Sequence, residues 1–326
     1  MSSKETRSTE VHIPIADIRS IYSLADVERA LEESPSSRSE ALAACYEKMK
    51  RQGGERFVIK PSSPEVLDPL YDTCPNFGEV VDELRKSLAL ALSGNEPVHF
   101  TPILLLGEPG IGKTHFARKL ASVLGTGYEF VSMSSLTAGW ILSGTSSQWS
   151  NAKAGKVATA LIDGDYANPL MVLDEVDKAG GDNRYDPMGA LYGLLEHDTA
   201  RSFRDEFIDI DIDASNMLWI ATANDESSLP EPILNRMNVY EVPRPDAGQA
   251  RTIAAHLYAE IVAEHRWGFD PEPSDAVLDK LVGLPPRDMR KQLLSALGNA
   301  KLAGRDSVGV DDFPGERRSK SRKIGF

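Results

Sequence analysis

Residues 107–114 read Gly-Glu-Pro-Gly-Ile-Gly-Lys-Thr, a complete phosphate-binding loop of the form G-x-x-x-x-G-K-[ST]. Its glycines let successive backbone N–H groups point at phosphate oxygens. In such a loop Lys113 reaches the β- and γ-phosphates, and the Thr114 hydroxyl can ligate Mg²⁺. An apolar run at 103–106 precedes the loop and a helical pattern follows from His115. The stretch therefore predicts a strand–loop–helix unit that binds a nucleotide.

A second apolar run, 170–173, is followed by two acids, Asp174 and Glu175. In this class of site the first acid holds Mg²⁺ through water, and the second polarises the attacking water as a general base. A buried strand with a solvated acidic end is the alternative when such a run stands alone. Downstream of a phosphate loop, the run predicts a catalytic strand.

A third apolar run, 217–223, ends at Asn224. The Asn224 amide can hydrogen-bond both a water and a γ-phosphate without adding charge. Arg236 follows shortly afterwards and is the candidate for an arginine that acts on the nucleotide of a neighbouring subunit. A surface ion pair is the alternative interpretation of Arg236.

Taken together, residues 76–313 resemble the AAA+ ATPases and, within them, the ATPase module of Lon-type proteases. Beside the loop and the acidic strand, the stretches that carry this resemblance are Asn168-Pro169-Leu170, Leu173-Asp174-Glu175-Val176-Asp177-Lys178, Asp186-Pro187, Ala190-Leu191, Leu194-Leu195-Glu196, Ile220-Ala221-Thr222-Ala223-Asn224 and Leu234-Asn235-Arg236-Met237.

The resemblance implies an α/β fold, a parallel phosphate-loop sheet sandwiched by helices and followed by a small helical lid. It implies ATP and Mg²⁺ as cofactors, Asn224 as sensor 1, Arg236 as the trans-acting finger and Arg287 as the sensor-2 arginine. Pro285-Pro286 stand before Arg287, where a Gly-x pair is usual. The residues implied to contact the nucleotide are Phe77, Gly78, Glu108, Pro109, Gly110, Ile111, Gly112, Lys113, Thr114 and His115.

The composition, 41% hydrophobic and 26% charged residues, is typical of a globular protein. A net charge of −13 does not favour binding to nucleic acid or to anionic membranes. Cys45 and Cys74 form neither a metal-ligand spacing nor a disulfide framework. Because no signal sequence and no apolar run of about 20 residues is present, we expect a cytoplasmic protein without a membrane span.

Four parts are expected along the chain. Residues 1–75 read as a mainly helical extension with helices over 16–31 and 40–49, either packing on a neighbour or recognising a partner. Residues 76–245 alternate strands and helices, with strands at Ile103, Glu129, Leu170 and Leu218, and form the nucleotide domain. Residues 246–312 form the lid, and 313–326 a basic tail that is disordered or binds an acidic partner or nucleic acid.

The stretch 132–156 is rich in Ser, Gly and Thr, yet contains Trp140 and Trp149. By resemblance, a loop here projects an aromatic and an aliphatic residue into a central channel. Trp149 takes the aromatic position, and Ser150 departs from the aliphatic one. A buried tryptophan is the alternative. A second loop, 180–185, offers Arg184 and Tyr185 as further channel contacts.

The segment 207–213 reads Phe-Ile-Asp-Ile-Asp-Ile-Asp, with period-two alternation. Its spaced carboxylates would allow metal binding, but a strand with one solvent-exposed face explains the alternation more simply. We therefore expect a strand.

A Lon protein continues into a protease domain with a serine–lysine dyad, whereas this sequence ends at Phe326. Peptide hydrolysis is therefore not expected of it. The sequence favours a ring, most simply a hexamer, in which ATP hydrolysis drives the remodelling or translocation of a protein substrate. The alternatives are an ATP-gated assembly switch that binds a partner protein, and a nucleic-acid-remodelling ATPase. The sequence identifies neither the substrate nor a cooperating protease.

Overall fold

The computed structural model describes residues 15–33, 40–135, 140–149, 151–179, 186 and 188–314. These residues group into two compact units. The first holds the described residues within Met1–Leu67, Val80–Leu106 and Ala117–Tyr240, and the second those within Asp68–Glu79, Gly107–Phe116 and Glu241–Phe326. The sequence predicts boundaries at residues 75, 245 and 312, so that each part would be one continuous segment. In the structure, each unit is instead formed by several separate segments of the chain.

The first unit begins with a two-stranded antiparallel sheet and two helices. Its elements are β1 (Ile15–Ser20), α1 (Leu24–Glu32), α2 (Glu40–Gln52) and β2 (Glu55–Lys60). The predicted helix over 40–49 is found in α2. The helix predicted over 16–31 is wrong in its first half, where β1 lies. The reason is a long-range pairing, Ile18 opposite Phe57, which a local helical pattern cannot report.

These N-terminal elements belong to the main hydrophobic core of the unit. Val27, Tyr46 and Met49 are fully buried in one cluster with strand residues such as Met171. The Tyr46 hydroxyl also donates a hydrogen bond of 2.6 Å to the carbonyl of Ile208. Residues of the predicted extension therefore help to close the core around the sheet.

A five-stranded sheet forms the centre of the first unit. The remaining strands of the chain are β3 (Ile103–Leu106), β4 (Tyr128–Ser132), β5 (Leu170–Asp174), β6 (Phe203–Arg204), β7 (Asp211–Ile212), β8 (Leu218–Ala223) and β9 (Asn238–Glu241). The sheet order is β4-β5-β8-β3-β9, and the pairs β4–β5, β5–β8 and β8–β3 are parallel. The predicted strands are confirmed, and β3, β5 and β8, which are almost entirely buried, read as continuous apolar runs.

Helices and short turns fill the connections between the strands. The helices that follow α2 are α3 (Pro69–Thr73), α4 (Gly78–Gly94), α5 (Lys113–Leu124), α6 (Trp140–Ser143), α7 (Lys156–Asp163), α8 (Leu191–Leu194), α9 (His197–Ala200), α10 (Glu231–Leu234), α11 (Ala247–Glu264), α12 (Asp275–Leu281) and α13 (Pro286–Leu302). In the described part of the chain, 3₁₀ turns lie at Pro64–Leu67, Pro75–Phe77, Met133–Ser135, Val176–Lys178 and Val310–Asp312.

The segment 207–213 differs from its predicted strand. Only Asp211–Ile212 is a strand, and it pairs with β6 in a separate two-stranded sheet. Upstream, the Asp205 carboxylate accepts hydrogen bonds from the N–H groups of Phe207 and Ile208, which curls the chain into a turn. The isoleucines are nevertheless buried and Asp209 and Asp211 exposed, as the alternation predicts.

The helical part of the second unit has a core of its own. Ile253, Tyr258, Leu281, Met289 and Leu293 are at most 5% exposed and pack in one cluster formed by α11, α12 and α13. Helix α11 begins with a reciprocal capping box in which Asp246 and Gln249 each accept from the other's backbone N–H. The segment predicted as a helical lid, 246–312, thus contains α11, α12 and α13.

Candidate functional site

The phosphate loop begins directly after β3 and leads into α5 at Lys113. Gly110 and Gly112 have φ angles of 85° and 106°, a region that residues with a Cβ rarely adopt. At Gly107 a Cβ atom would lie 2.7 Å from the carbonyl oxygen of Val242. Three glycines of the motif therefore have separate structural reasons to be glycine, and the loop can present its backbone to a ligand.

Lys113 is directed back into the loop. Its side chain is largely buried, the residue being 8% exposed, and the Nζ donates to the carbonyls of Gly107 and Glu108, the latter at 3.1 Å. Thr114 and His115 follow in the first turn of α5. A lysine ammonium among backbone groups at a helix N-terminus is a site that favours phosphate.

Phe77 lies against the loop helix. Its ring stacks on Phe116 with 4.5 Å between centroids and 3° between planes, and both rings are at most 1% exposed. Next to it, the Asn76 side-chain amide donates to the carbonyls of Ile111 and Pro243, at 3.4 and 3.2 Å. Gly78 begins α4. The segment predicted to line a base pocket is thus fastened to the loop by an amide and an aromatic stack.

Two arginines approach the loop within the second unit. Arg244 forms an ion pair with Glu108, through Nε at 2.7 Å and through Nη2. The backbone N–H of Arg287 lies 3.5 Å from the Gly110 carbonyl oxygen, at the start of α13. Pro286 occupies the first position of that helix, which suits proline because its fixed φ is helical and it needs no N–H there. The unusual proline pair is therefore compatible with Arg287 beside the loop.

A buried threonine joins the two acids at the end of β5. The Thr222 hydroxyl, on β8, donates to the Asp174 carboxylate at 2.8 Å and accepts from the Glu175 backbone N–H at 3.0 Å. Thr222 is 1% exposed. Because β5 and β8 are neighbours in the sheet, one hydroxyl fixes the positions of both acids.

Glu175 itself has a left-handed backbone, with φ 57° and ψ 50°. A non-glycine residue pays about 1–3 kcal/mol for such a conformation, which concentrates at functional sites. Its carboxylate pairs with Lys178, one turn further along. This hydrogen bond raises the pKa of the Lys178 ammonium. The carboxylate of Glu175 is partly exposed, so solvent can reach it.

Asn224 follows β8 and lies beside the same acidic turn. Its backbone N–H donates to an Asp177 carboxylate oxygen at 3.2 Å, and the Ser228 hydroxyl donates to the Asp177 carbonyl at 3.1 Å. The first unit therefore brings Asp174, Glu175 and Asn224 to one edge of the sheet. Strand β3 ends at the same edge of the sheet, because β3, β5 and β8 are parallel.

Arg236 lies just beyond α10 and is fixed by neighbouring groups. Its Nη1 donates to the Pro232 carbonyl at 2.6 Å, and its Nη2 pairs with the Glu196 carboxylate at 2.7 Å. The guanidinium carbon lies 6.0 Å from the centre of the Tyr192 ring. The ion pair considered as an alternative for Arg236 thus exists, and the side chain keeps 25% of its surface exposed.

Trp149 stands at the turn of a small closed loop. Thr145 and Lys153 pair at its base, through Thr145 N–H to Lys153 carbonyl at 3.0 Å and Lys153 N–H to Thr145 hydroxyl at 2.8 Å. Trp149 is 49% exposed and meets Trp140 edge-on, with 5.6 Å between ring centroids. The structure therefore does not place this tryptophan in a core. Ser150, Arg184 and Tyr185 lie outside the described residues.

The base of the Trp149 loop is anchored on a buried carboxylate. Asp205 is 0% exposed, and its carboxylate accepts a 2.7 Å hydrogen bond from the N–H of Gly155. A Cβ on Gly144 would lie 2.3 Å from the same carboxylate. Burial raises the pKa of Asp205 to about 6. A cavity of about 580 Å³ opens beside this loop, lined in part by Trp140, Trp149 and Phe203.

These residues fit a nucleotide and a divalent cation. The glycine-shaped loop with an inward ammonium suits a polyphosphate. Within their own units, Asp174 offers a carboxylate and Thr114 a hydroxyl, and both are hard oxygen donors of the kind that Mg²⁺ prefers. The described residues contain no cluster of three or more His, Cys, Asp or Glu able to hold a metal by themselves. The second unit thus offers the chemistry of polyphosphate binding, and the first unit offers two carboxylates at the end of β5.

Several residues of the site were not singled out from the sequence. The sequence pattern could have indicated Thr222, because it is a polar residue within a buried apolar strand. It could also have indicated Asp177, the third acid after β5. Arg244, the partner of Glu108, and Glu196, the partner of Arg236, had no such signal, because the members of each pair are 136 and 40 positions apart.

Comparison with known proteins gives a consistent picture. Residues 103–244 match the family described as "ATPase family associated with various cellular activities (AAA)". The chain is 35% identical over 185 residues to Lon protease 2 of Sorangium cellulosum, covering 55% of this chain and 23% of that protein. It is 33% identical over 259 residues to the Lon protease of Halothermothrix orenii, covering 72% of this chain and 33% of that protein. The aligned part is thus about a quarter to a third of these relatives' length.

Solved structures agree at the level of the fold. A point mutant of Thermotoga maritima RuvB superposes with a TM-score of 0.51 at 18% identity, over 72% of this chain and 67% of that one. Closed Hsp104, solved with a nucleotide analogue and casein, superposes with a TM-score of 0.56 at 18% identity, over 73% and 48%. No helix among the described residues has the length and apolarity required to span a membrane.

Proposed function

We propose that this chain, which contains an AAA ATPase domain similar to that of Lon proteases, hydrolyses ATP with Mg²⁺ and uses the cycle to remodel or translocate a polypeptide. The observation that carries the ATPase part is the phosphate loop. Its glycine geometry and the inward Lys113 suit a nucleotide triphosphate. The family match supports ATP hydrolysis in general terms, and the assignment of individual residues is our proposal.

In this proposal the loop and Lys113 bind the phosphates, and Phe77 and Gly78 border the base. Thr114 and Asp174 would hold Mg²⁺, which when bound neutralises charge on the phosphates. Glu175 accepts a proton from the attacking water, and Asn224 orients that water. The Thr222 hydrogen bonds to Asp174 and Glu175 support this assignment, because they set both acids in place before any ligand binds.

Arg236 acts across an interface between subunits in the proposed assembly, a hexameric ring. The Arg236 side chain lies just beyond a short helix and keeps 25% of its surface exposed, which leaves it accessible to a neighbouring molecule. Arginines of this type stabilise the charge of phosphoryl transfer in trans. Arg287 is proposed to contact the phosphates from the start of α13.

Trp149 is the residue proposed to contact the polypeptide substrate and to pull on it, a role that we call the grip. It is half-exposed on a closed and anchored loop, which gives a large rigid aromatic surface a defined position. Tyr185 stays a predicted second contact. We propose a cytoplasmic location, and the absence of peptide hydrolysis by this chain stays a prediction.

The test measures ATPase turnover of the purified protein alone, with an unfolded polypeptide such as casein, with the same amount of a stable folded protein, and with DNA. The proposal predicts stimulation by the unfolded polypeptide. Stimulation only by a folded partner would favour an ATP-gated assembly switch, and stimulation by DNA a nucleic-acid motor. Lack of hydrolysis under every condition, with ATP binding intact, would contradict the ATPase proposal itself.

A further inference from the structure

We infer that Glu196 is a positioning residue for Arg236, holding its guanidinium in the orientation in which it acts on the nucleotide of a neighbouring subunit. The inference rests on the proposed function, since it assumes that Arg236 acts in trans. It adds a residue to the site that neither the sequence pattern nor the family match assigns.

Three kinds of contact fix the Arg236 side chain. The Pro232 carbonyl, four residues earlier, accepts from Nη1 at 2.6 Å. The Glu196 carboxylate, just before α9, accepts from Nη2 at 2.7 Å, and the Tyr192 ring lies 6.0 Å from the guanidinium carbon. The Nε atom is buried and has no hydrogen-bond partner among the residues that the structure describes, so packing already surrounds the stem of the side chain. Of these contacts, the one with Glu196 is the charged one and sets the direction of the outer nitrogen.

The contact with Glu196 leaves the guanidinium able to accept a second partner. Each of the two terminal nitrogens carries two N–H groups. Glu196 and Pro232 take one hydrogen bond from each. The carboxylate therefore engages the arginine from one side only, which suits a group that orients a cation rather than one that neutralises it completely.

Stability alone does not account for this pair. The side chains of Arg236 and Glu196 are 25% and 45% exposed, and ion pairs of that exposure contribute little to folding. The position of the Arg236 guanidinium matters far more for the rate of hydrolysis, because a displacement of about 1 Å at a reacting centre can lower the rate on the order of 10²-fold. The benefit of Glu196 is therefore expected in turnover and not in the melting temperature.

The experiment compares Glu196→Ala, Glu196→Gln and Asp198→Asn in the full chain. Asp198 is the matched control, a carboxylate two positions away whose side chain is 98% exposed. For each protein we would measure kcat and KM for ATP, the oligomeric state and the melting temperature. Glu196→Ala and Glu196→Gln would also be combined with Arg236→Ala, whose residual turnover can be followed over hours.

Glu196→Ala is expected to lower kcat roughly 10-fold, with KM, assembly and melting temperature unchanged. Glu196→Gln keeps an acceptor oxygen and should be intermediate, while Asp198→Asn should match the wild type. In the Arg236→Ala background, Glu196→Ala should have no further effect, because it acts through the arginine.

An increase in kcat would show that Glu196 restrains the arginine, and an unchanged kcat would show that it does nothing; either would overturn the inference. An equal loss in the Arg236→Ala background, or a lower melting temperature, would reveal a merely structural role. Wild-type turnover of Arg236→Ala itself would overturn the proposed trans action as well, which separates the two failures.

Discussion

Glu175 combines a left-handed backbone with a carboxylate that solvent can reach, at the end of a strand buried on both faces. Its N–H is held by Thr222 and its side chain by Lys178. Such a conformation persists only where the surroundings over-determine it. The ion pair with Lys178 fixes the direction of the carboxylate.

Glu175→Gln should separate binding from chemistry. The amide keeps the shape of the side chain but cannot accept a proton, so ATP binding should persist while hydrolysis slows by ~10²-fold or more. Lys113→Ala should instead lose ATP binding, because it deletes the charge inside the loop. Binding of a fluorescent ATP analogue and release of phosphate report the two steps. Glu226→Gln, an exposed acid beyond Asn224, is the control. Parental turnover in Glu175→Gln would show that another group is the base.

The Trp149 loop is an element whose form depends on contacts at its two ends. Thr145 and Lys153 close it, and Asp205 binds the N–H of Gly155 where α7 is about to begin. A loop with a closed base can move as one piece with the helix that follows it. This is the property that a mechanical contact requires.

Trp149→Ala is expected to leave the melting temperature unchanged, because the side chain is already 49% exposed. Truncation of a buried tryptophan to alanine would instead lower the free energy of unfolding by about 3–5 kcal/mol. The ratio of ATPase rates with and without unfolded polypeptide should fall toward one. Trp267→Ala is the matched control, since Trp267 is 39% exposed and lies in the other unit. Normal stimulation in Trp149→Ala would contradict the grip, and a collapsed melting temperature would make Trp149 a core residue.

Asp205 should give stability a defined pH dependence. Its pKa is raised from 3.8 to about 6 by burial, so between about pH 4 and 6 the folded protein binds more protons than the unfolded chain. Stability contributed by this group therefore falls as pH rises through that window. Relative to Asp205→Asn, which lacks the titration, the wild type should lose at most about 3 kcal/mol of unfolding free energy from pH 4 to 6. Melting curves of the two proteins test this, with Glu206→Gln as the exposed control; parallel curves would contradict it.

The whole molecule shows how far a sequence can be interpreted locally. Strands β3, β5 and β8 were predictable because each is a continuous apolar run, and the lid helices because their apolar residues repeat with a helical period. The glycines of the loop were predictable from a motif whose geometry they serve. Strand β1 was not, since Ile18 gains its partner Phe57 only in the fold. The same holds for Glu196 beside Arg236 and Asp205 beside Gly155, which are tertiary contacts without a local pattern.

The proposed ring makes hydrolysis a property of the interface between two subunits. Each complete site would combine the phosphate loop of one subunit with Arg236 of the next. A protein that lacks Lys113 and a protein that lacks Arg236 are then each inactive, for different reasons. In a mixed assembly, however, a Lys113→Ala subunit can offer its intact Arg236 to the intact loop of an Arg236→Ala subunit.

The most direct test is therefore to mix Arg236→Ala and Lys113→Ala proteins in equal amounts and measure ATPase, with subunit exchange verified by mass measurement. Random mixing should make about a quarter of the interfaces complete. Because such arginines are worth about 10³–10⁵ in rate, the mixture should greatly exceed either variant alone. Absence of any recovery in verified mixed assemblies, or full wild-type ATPase in a demonstrably monomeric preparation, would contradict hydrolysis across a subunit interface.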